Sequence, residues 1–181
     1  MTVERVVLLC LIAGCADDAN HPAPPVDPCA VEPSLAGGAA EVGLGSDFTP
    51  LVEGQDVHVE LGIQGLYMFV VNVRVQDMDV SSDGRPGVIY LGAFDQSGQA
   101  ISLETGCRVR EFGDTGGGHQ QLSSPYFLPL IPDFTSVLEG AMVTIRLDVR
   151  DLDGHQAKDE RTVVTHLPAM AARAMPAANA R

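Results

Sequence analysis

The feature that most constrains this chain is an alternation of apolar and polar residues with a period of two, clearest in residues 143–150. Val143, Ile145, Leu147 and Val149 alternate there with threonine, arginine and aspartate. Side chains of a strand point to opposite faces in turn, so this pattern predicts one buried and one solvated face. The next letters, DLDGH, hold the Asp-Gly pair of a tight turn, and RTVVTHL returns. These residues are therefore predicted to form a β-hairpin.

The same period recurs upstream in segments separated by glycine, aspartate and proline. GVIYLGAFD is apolar on both faces and suits a central strand, DQSGQ then turns the chain, and AISLE is its predicted partner. CRVREF and residues 41–44 add two weaker strands. DVHVELGI and FVVNVRVQ are half-buried strands, whose apolar faces are Val57, Val59, Leu61 and Ile63 in the first and Phe69, Val71, Val73 and Val75 in the second.

Seven or eight such strands, with no convincing helical period between residues 41 and 167, predict an all-β domain built as a two-sheet sandwich. The closing hairpin, an alternating strand followed by Asp-x-Asp-Gly and another strand, resembles the last two strands of immunoglobulin-like bacterial surface domains. The chain has no tryptophan, so the Cys…Trp…Cys signature of antibody domains is absent. The resemblance therefore implies an immunoglobulin-like β-sandwich architecture and nothing narrower.

The amino terminus carries a short apolar segment, residues 6–13, that ends two residues before Cys15. It is too short to cross a bilayer, whose hydrocarbon core needs about 20 helical residues. Leu11-Ile12-Ala13-Gly14-Cys15 resembles the cleavage and lipidation site of bacterial lipoprotein signals. The resemblance implies that residues 1–14 are removed, that Cys15 is lipidated, and, with Ala16 following it, that the outer membrane is the destination. The alternative is a buried first strand over residues 6–12.

Two segments beside the predicted domain have compositions that do not favour folding. Residues 15–40 hold five prolines among small and acidic residues, which bury too little apolar surface to fold alone, and we predict a disordered tether. Residues 168–181 are rich in alanine but lack an apolar stripe and contain Pro176, so we predict a disordered tail.

A second, narrower resemblance lies in GLGSDFTPLVEGQDVHVELGIQG. This segment is similar to one in uncharacterised bacterial lipoproteins of the same size, and the resemblance implies no function. Glycines there suit turns, and two large apolar residues, Phe48 and Leu51, are predicted to fill the core. The residues that match are Gly43, Gly45, Phe48, Pro50, Leu51, Gly54, Gly62, Gln64 and Gly65.

The charge of the chain excludes one class of partner. Twenty-four acidic residues against 11 basic ones give a formal net charge of −13. A chain so acidic repels the phosphates of nucleic acids and anionic lipid headgroups, so we expect neither as a partner. Its contact with the membrane is expected to run through the amino-terminal lipid.

The cysteines predict one disulfide. Cys10 departs with the signal and Cys15 is modified, which leaves Cys29 and Cys107. An even pair in an oxidising compartment favours a disulfide. The alternative is two separate buried thiols.

No catalytic motif is found in the chain, which contains no G-x-S-x-G, H-E-x-x-H, G-x-x-x-x-G-K-[ST] or C-x-x-C. We therefore predict that the protein is not an enzyme and needs no cofactor. The glycine-rich stretch GDTGGGHQQ, with His119, is predicted to be an exposed flexible loop.

Two acidic turns are candidates for calcium. DMDVSSDG supplies Asp77 and Asp79, and DLDG supplies Asp151 and Asp153. Calcium prefers six to eight oxygen ligands from flexible loops of this kind, although neither stretch completes a twelve-residue EF-hand loop. Aspartate is also common in plain turns, because its side chain bonds its own backbone.

These observations predict a lipid-anchored extracytoplasmic domain with a non-catalytic binding or structural role at the cell envelope. The expected partner is an envelope protein or a glycan. The alternative is a calcium-dependent adhesion or carbohydrate-binding module. The absence of tryptophan, with only three tyrosines, removes the usual stacking platform for sugars.

Overall fold

A computed structural model of the protein describes residues 27–80, 84–103 and 106–168. The predicted signal, the lipidation site at Cys15, the first part of the tether and the tail beyond residue 168 lie outside these residues. The described part is built of strands, with two short 3-10 helices, Pro28–Ala30 and Pro132–Val137. Its strands, in chain order, are β1 Leu35–Ala36, β2 Ala39–Leu44, β3 Thr49–Pro50, β4 Gln55–His58, β5 Glu60–Leu61, β6 Tyr67–Gln76, β7 Gly87–Phe94, β8 Cys107–Arg110, β9 Phe112–Gly116, β10 His119–Leu122, β11 Tyr126–Pro129, β12 Met142–Arg150 and β13 His155–His166.

The strands form two sheets, which confirms the predicted all-β sandwich. The first sheet has the order β1-β13-β12-β7-β8, and β4 also pairs with β13. The second has the order β3-β2-β6-β10-β9, and β5 and β11 also pair with β6. Most neighbours are antiparallel, but β1 and β4 lie parallel to β13. The hydrophobic core is enclosed between the sheets.

The alternating patterns place the core as predicted. Phe69, Val71, Val73 and Val75 of β6 are each at most 1% exposed, and the inward-pointing apolar residues of β12 from Val143 to Val149 are at most 3% exposed in the other sheet. Phe48 and Leu51 of the glycine-rich segment are buried too. The predicted closing hairpin is confirmed, with β12 and β13 paired from Met142↔Val164 to Arg150↔Gln156.

One predicted strand is divided between the two sheets. Val57 and Val59 are buried as expected, but Leu61 is 55% exposed and Ile63 fully exposed. The reason is that β4 pairs with β13 in the first sheet, whereas β5 pairs with β6 in the second. The chain changes sheet around Val59, so the apolar face predicted for residues 57–63 does not continue beyond it.

The domain also starts earlier than predicted. Strand β1 and the beginning of β2 lie within the segment expected to be a tether up to residue 40. Ser34 and Leu35 donate backbone hydrogen bonds to the carbonyl of Gly154, and β1 then runs beside His155 and Gln156. An edge strand needs little apolar surface when a neighbouring strand supplies hydrogen-bond partners, which is why its composition resembled a linker.

Further differences lie between β7 and β12. The glycine-rich stretch forms the turn of a β9–β10 hairpin, in which Gly116, Gly117 and Gly118 take positive φ of 86°, 65° and 81°. Such angles strain any other residue, and this explains the three glycines. AISLE makes only single bridges, Phe94↔Ala100 and Ser102↔Leu130, within its described part. Strand β11 was not predicted.

Candidate functional site

A concave surface lies on the outer face of the first sheet. Residues Thr144, Arg146, Asp148 and Arg150 of β12 point outward there, because the residues between them fill the core. Strand β12 is central, with β7 on one side and β13 on the other. Each outward residue of β12 therefore has a neighbour on both sides.

A depression forms where one of those neighbours has no side chain. Arg146 lies opposite Gly92 on β7 and opposite Glu160 on β13. Tyr90 and Phe94 stand two residues to either side of the glycine on the same face, so the surface sinks between their rings. This depression, the Gly92 groove, has a volume of about 500 Å³, and its lining includes Tyr90, Gly92, Phe94, Arg146, Lys158 and Glu160.

Arginine side chains cover both aromatic rings of the groove. The guanidinium carbon of Arg146 lies 4.5 Å from the centroid of the Phe94 ring, and that of Arg150 lies 4.5 Å from the centroid of Tyr90. Exposed cation–π contacts of this kind contribute about 0.5–1 kcal/mol each. They hold the long arginine side chains along the sheet and leave the region over Gly92 open.

The charged groups of the groove are paired with one another. Arg146 Nε donates to Glu160 Oε2 at 2.8 Å, with both side chains about half exposed. Asp148 accepts from Gln156 Nε2 at 2.6 Å and from Arg150 Nε at 3.4 Å, and Lys158 Nζ lies 4.0 Å from its carboxylate. The groove thus presents guanidinium and ammonium donors beside carboxylate acceptors, and little net charge.

The structure brings three of the four calcium candidates together at one end of the sandwich. Arg85 forms ion pairs with Asp79 and with Asp153, the second at 3.2 Å. The backbone N–H of Asp79 donates to Asp151 Oδ2 at 3.2 Å. Asp77 is exposed and has a positive φ of 56°. Two of the candidate carboxylates therefore already have a cationic partner.

Asp151 is fully buried, and its carboxylate organises the closing turn. Oδ1 accepts from the backbone N–H of Asp153 at 3.0 Å and of His155 at 2.9 Å, and Oδ2 lies 2.8 Å from His155 Nδ1. With the bond from Asp79, this carboxylate has four polar contacts within the protein. Asp151 thus bonds the backbone of its own turn, as aspartate commonly does in plain turns.

The residues that the structure describes contain no group of three or more histidine, cysteine, aspartate or glutamate side chains arranged to hold a metal ion. Among the same residues, no helix has the length and apolarity needed to span a membrane.

The predicted disulfide is present. Cys29 and Cys107 are bonded, with their Cα atoms 5.9 Å apart. Cys29 lies in the first 3-10 helix, where its backbone N–H donates to Asp27 Oδ1 at 3.0 Å, and Cys107 begins β8. The bond fastens the segment before β1 to the edge of the first sheet opposite β1.

Sequence reasoning missed the Gly92 groove. Its aromatic residues lie on β7 and its charged residues on β12 and β13, which are far apart in the chain. Two signals were present, the arginine, aspartate and arginine on the polar face of β12 and the glycine between two aromatic residues of β7. Neither is informative until the register that sets Gly92 opposite Arg146 is known.

Comparisons with known proteins show no family for the chain. No protein-family model and no curated protein matches the chain. Among solved structures, the chain is similar to a DUF4466 family protein from Parabacteroides merdae ATCC 43184, with 13% identity and a TM-score of 0.30, over 70% of this chain and 44% of that one. It is also similar to the N-terminal domain of PorA, with 15% identity and a TM-score of 0.27, over 68% of this chain and 96% of that one. Likenesses this distant carry no argument about function.

Proposed function

We propose that the protein is a lipid-anchored, non-catalytic binding domain of the bacterial cell envelope, held in the outer membrane through Cys15, and that the Gly92 groove binds a glycan. The anchor rests on the match of Leu11-Ile12-Ala13-Gly14-Cys15 to a lipoprotein signal. The binding role rests on the groove, a concave site of about 500 Å³ lined by hydrogen-bond donors and acceptors.

The volume of the groove favours a small or narrow ligand. Pockets of about 300–1,000 Å³ are typical of sites for small molecules, whereas protein partners bury broad surfaces of about 800 Å² per side. A few units of an extended glycan suit such a depression, with one sugar ring placed over Gly92 and between the edges of Tyr90 and Phe94.

The chemistry of the groove favours hydroxyl groups over charged ones. Because Arg146 is paired with Glu160 and Asp148 with Arg150, a charged ligand would compete with an oppositely or likewise charged group that is already in place. A pair of neighbouring hydroxyls can instead donate to the carboxylate and accept from the guanidinium at the same time. We therefore infer a neutral glycan, bound mainly by hydrogen bonds.

Matched arginine substitutions test this proposal. Arg146→Gln removes the guanidinium fork from the groove, and Arg110→Gln removes an arginine that lies 5.0 Å above Tyr126, outside the groove. We expect Arg146→Gln to weaken binding to purified envelope glycans about tenfold, equivalent to about 1.4 kcal/mol, and Arg110→Gln to leave it unchanged. The measurement is isothermal titration of the mature chain carrying Cys15→Ser.

Two outcomes would contradict the proposal. Equal effects of Arg146→Gln and Arg110→Gln on glycan affinity would exclude the groove as the site. Capture of an envelope protein, with no glycan bound by the unsubstituted chain, would favour the protein partner instead.

A further inference from the structure

A histidine at the end of the last strand is held between two carboxylates. His166 Nδ1 lies 3.0 Å from Glu139 Oε1, and His166 Nε2 lies 2.8 Å from Asp56 Oδ1. The three residues come from different parts of the fold. Asp56 is in β4, Glu139 is in the loop between the second 3-10 helix and β12, and His166 closes β13.

Both contacts are satisfied together in only one protonation state. A neutral imidazole has one N–H donor and one acceptor nitrogen, and an ionised carboxylate only accepts. Two carboxylates on the two ring nitrogens therefore call for the doubly protonated imidazolium. We propose that His166 is a proton-operated clasp, which holds the end of β13 to β4 and to the loop before β12 and loosens when it gives up one proton.

The clasp lies where other bonds close the same end of the domain. The backbone N–H of Leu167 donates to the second oxygen of Glu139 at 2.7 Å, and the carbonyl of His166 accepts from Val59 N–H at 3.0 Å. Glu139 thus binds both the His166 ring and the next residue of the backbone. Release of the ring would leave this loop attached to the end of β13 through fewer bonds.

Three titratable groups face the imidazole. Two are the carboxylates, and the third is His58 of β4, whose ring centroid lies 5.5 Å from that of His166. His58 and His166 are partners in the parallel register of β4 and β13, so their rings lie side by side. Of the three, only the two carboxylates accept hydrogen bonds from the His166 ring.

The direction of the pKa shifts agrees with this geometry. Hydrogen bonds to Glu139 and Asp56 raise the pKa of His166 above its ordinary value of 6.5. The bond from His166, followed by that from the Leu167 backbone, lowers the pKa of Glu139 below 4.5. Stability from His166 is complete below pH 6.5 and lost as the pH rises through its folded pKa, and stability from Glu139 is complete above pH 4.5 and lost as the pH falls through its own. Both contributions are therefore complete between pH 4.5 and pH 6.5, where the clasp is strongest.

Histidine titration by NMR tests the clasp in the mature chain carrying Cys15→Ser. We expect the His166 ring to titrate above pH 6.5, and Glu139→Gln and Asp56→Asn each to lower that pKa toward 6.5. A full unit would be a tenfold change in proton affinity. Both substituted positions are exposed, and the replacements keep the size of the side chain, so the fold is preserved. A His166 pKa at or below 6.5, or one that neither substitution lowers, would overturn the proposal.

Hydrogen exchange at the Leu167 amide tests whether the proton holds the structure. The informative quantity is the protection factor of the Leu167 amide, which is the intrinsic exchange rate for its sequence and pH divided by the measured rate. We divide the protection factor in His166→Gln by that in the unsubstituted chain at the same pH. We expect this ratio to lie below one at pH 6 and to approach one above the pKa of His166. His58→Gln is the matched control: when its protection factor replaces that of the unsubstituted chain in the ratio, the value at pH 6 should stay below one. A ratio independent of pH would show that His166 is only a packing residue.

Discussion

Asp159 of β13 accepts a hydrogen bond from the backbone N–H of Val42 in β2, with 2.8 Å between Oδ2 and N, and this bond joins the two sheets of the sandwich. Val42 is 1% exposed, and the Asp159 side chain is 7% exposed and is also paired with Arg161 at 2.7 Å. Strand β3 pairs with β2 only at Gly43 and Leu44, so the N–H of Val42 lies just beyond that pairing. The Asp159 carboxylate of the opposite sheet supplies an acceptor for this buried N–H, which would otherwise be unsatisfied.

The first prediction concerns this bond. Asp159→Ala leaves the buried Val42 N–H without its acceptor, and such a group costs about 1–3 kcal/mol. We expect the free energy of unfolding, measured by urea denaturation, to fall by that amount. Lys158→Ala is the neighbouring control, since Lys158 is 65% exposed and its loss should change stability by less than about 0.5 kcal/mol. Equal losses in the two variants would contradict a bond between the sheets.

The second prediction separates the two aspartates of the closing turn. Asp151→Ala removes a buried carboxylate with four polar contacts and should cost about 3–5 kcal/mol. Asp153→Ala removes a half-exposed carboxylate and should cost at most about 1 kcal/mol. Thermal denaturation of the two variants compares them directly.

Calcium provides the opposing outcome for this turn. If its carboxylates serve the fold, millimolar calcium should leave the Tm unchanged. A ligand that binds the native state raises the Tm by mass action. A rise of several degrees that Asp153→Ala abolishes would therefore show that the turn binds the ion.

The third prediction concerns the disulfide. Cys29 and Cys107 are separated by 78 positions, and closing a loop of that length stabilises a protein by about 4–5 kcal/mol in the chain-entropy model. Because β1 and its hydrogen bonds to Gly154 order the chain just after Cys29, we expect most of this effect to be realised. Reduction should lower the Tm, and thiol titration of the oxidised protein should find no free thiol from this pair. An unchanged Tm would mean that the bonded segment adds nothing to the fold.

The fourth prediction concerns the anchor. Growth with labelled fatty acid should label the protein, and Cys15→Ser should abolish both the label and the membrane association. Two or three acyl chains hold a protein far more firmly than one. Unlabelled protein in the soluble fraction of unsubstituted cells would contradict the lipoprotein signal.

The extent to which the fold could be predicted depends on what alternation reports. It shows which face a residue occupies, so the inward positions of β6 and β12 and the closing hairpin followed directly. It does not show which sheet a strand joins, so the change of sheet around Val59 was invisible: Val57, Val59 and Leu61 alternate without interruption. The short strand β1 was missed for a related reason, because hydrogen bonds to β13 rather than apolar side chains hold it.

The site was harder to predict than the fold. The pairing of Cys29 with Cys107 followed from the number of cysteines left after the signal and the lipidation site. The groove and the histidine clasp instead depend on the register between paired strands. Arg146 lies beside Gly92, and His166 beside His58, only once β12 and β13 are aligned with β7 and β4. For the acidic turns the sequence left two roles open, calcium binding and turn formation. The buried carboxylate of Asp151, which bonds the backbone of its own turn, could be seen only in the structure.

In the proposed lipid-anchored form, the disulfide also limits how far the domain can lie from its lipid. Cys29 is 14 positions beyond Cys15, and a fully extended chain spans about 3.5 Å per position, so Cys29 can lie no more than about 50 Å from the lipid-bearing residue. Without the bond and β1, the first residue held by the domain would be Ala39 at the start of β2, and the greatest distance from the lipid-bearing residue would grow by about 35 Å. In the proposed anchored form, the bonded Cys29 therefore stays within about 50 Å of the lipid-bearing residue, and the proposed glycan has to be reachable by a domain held at that distance.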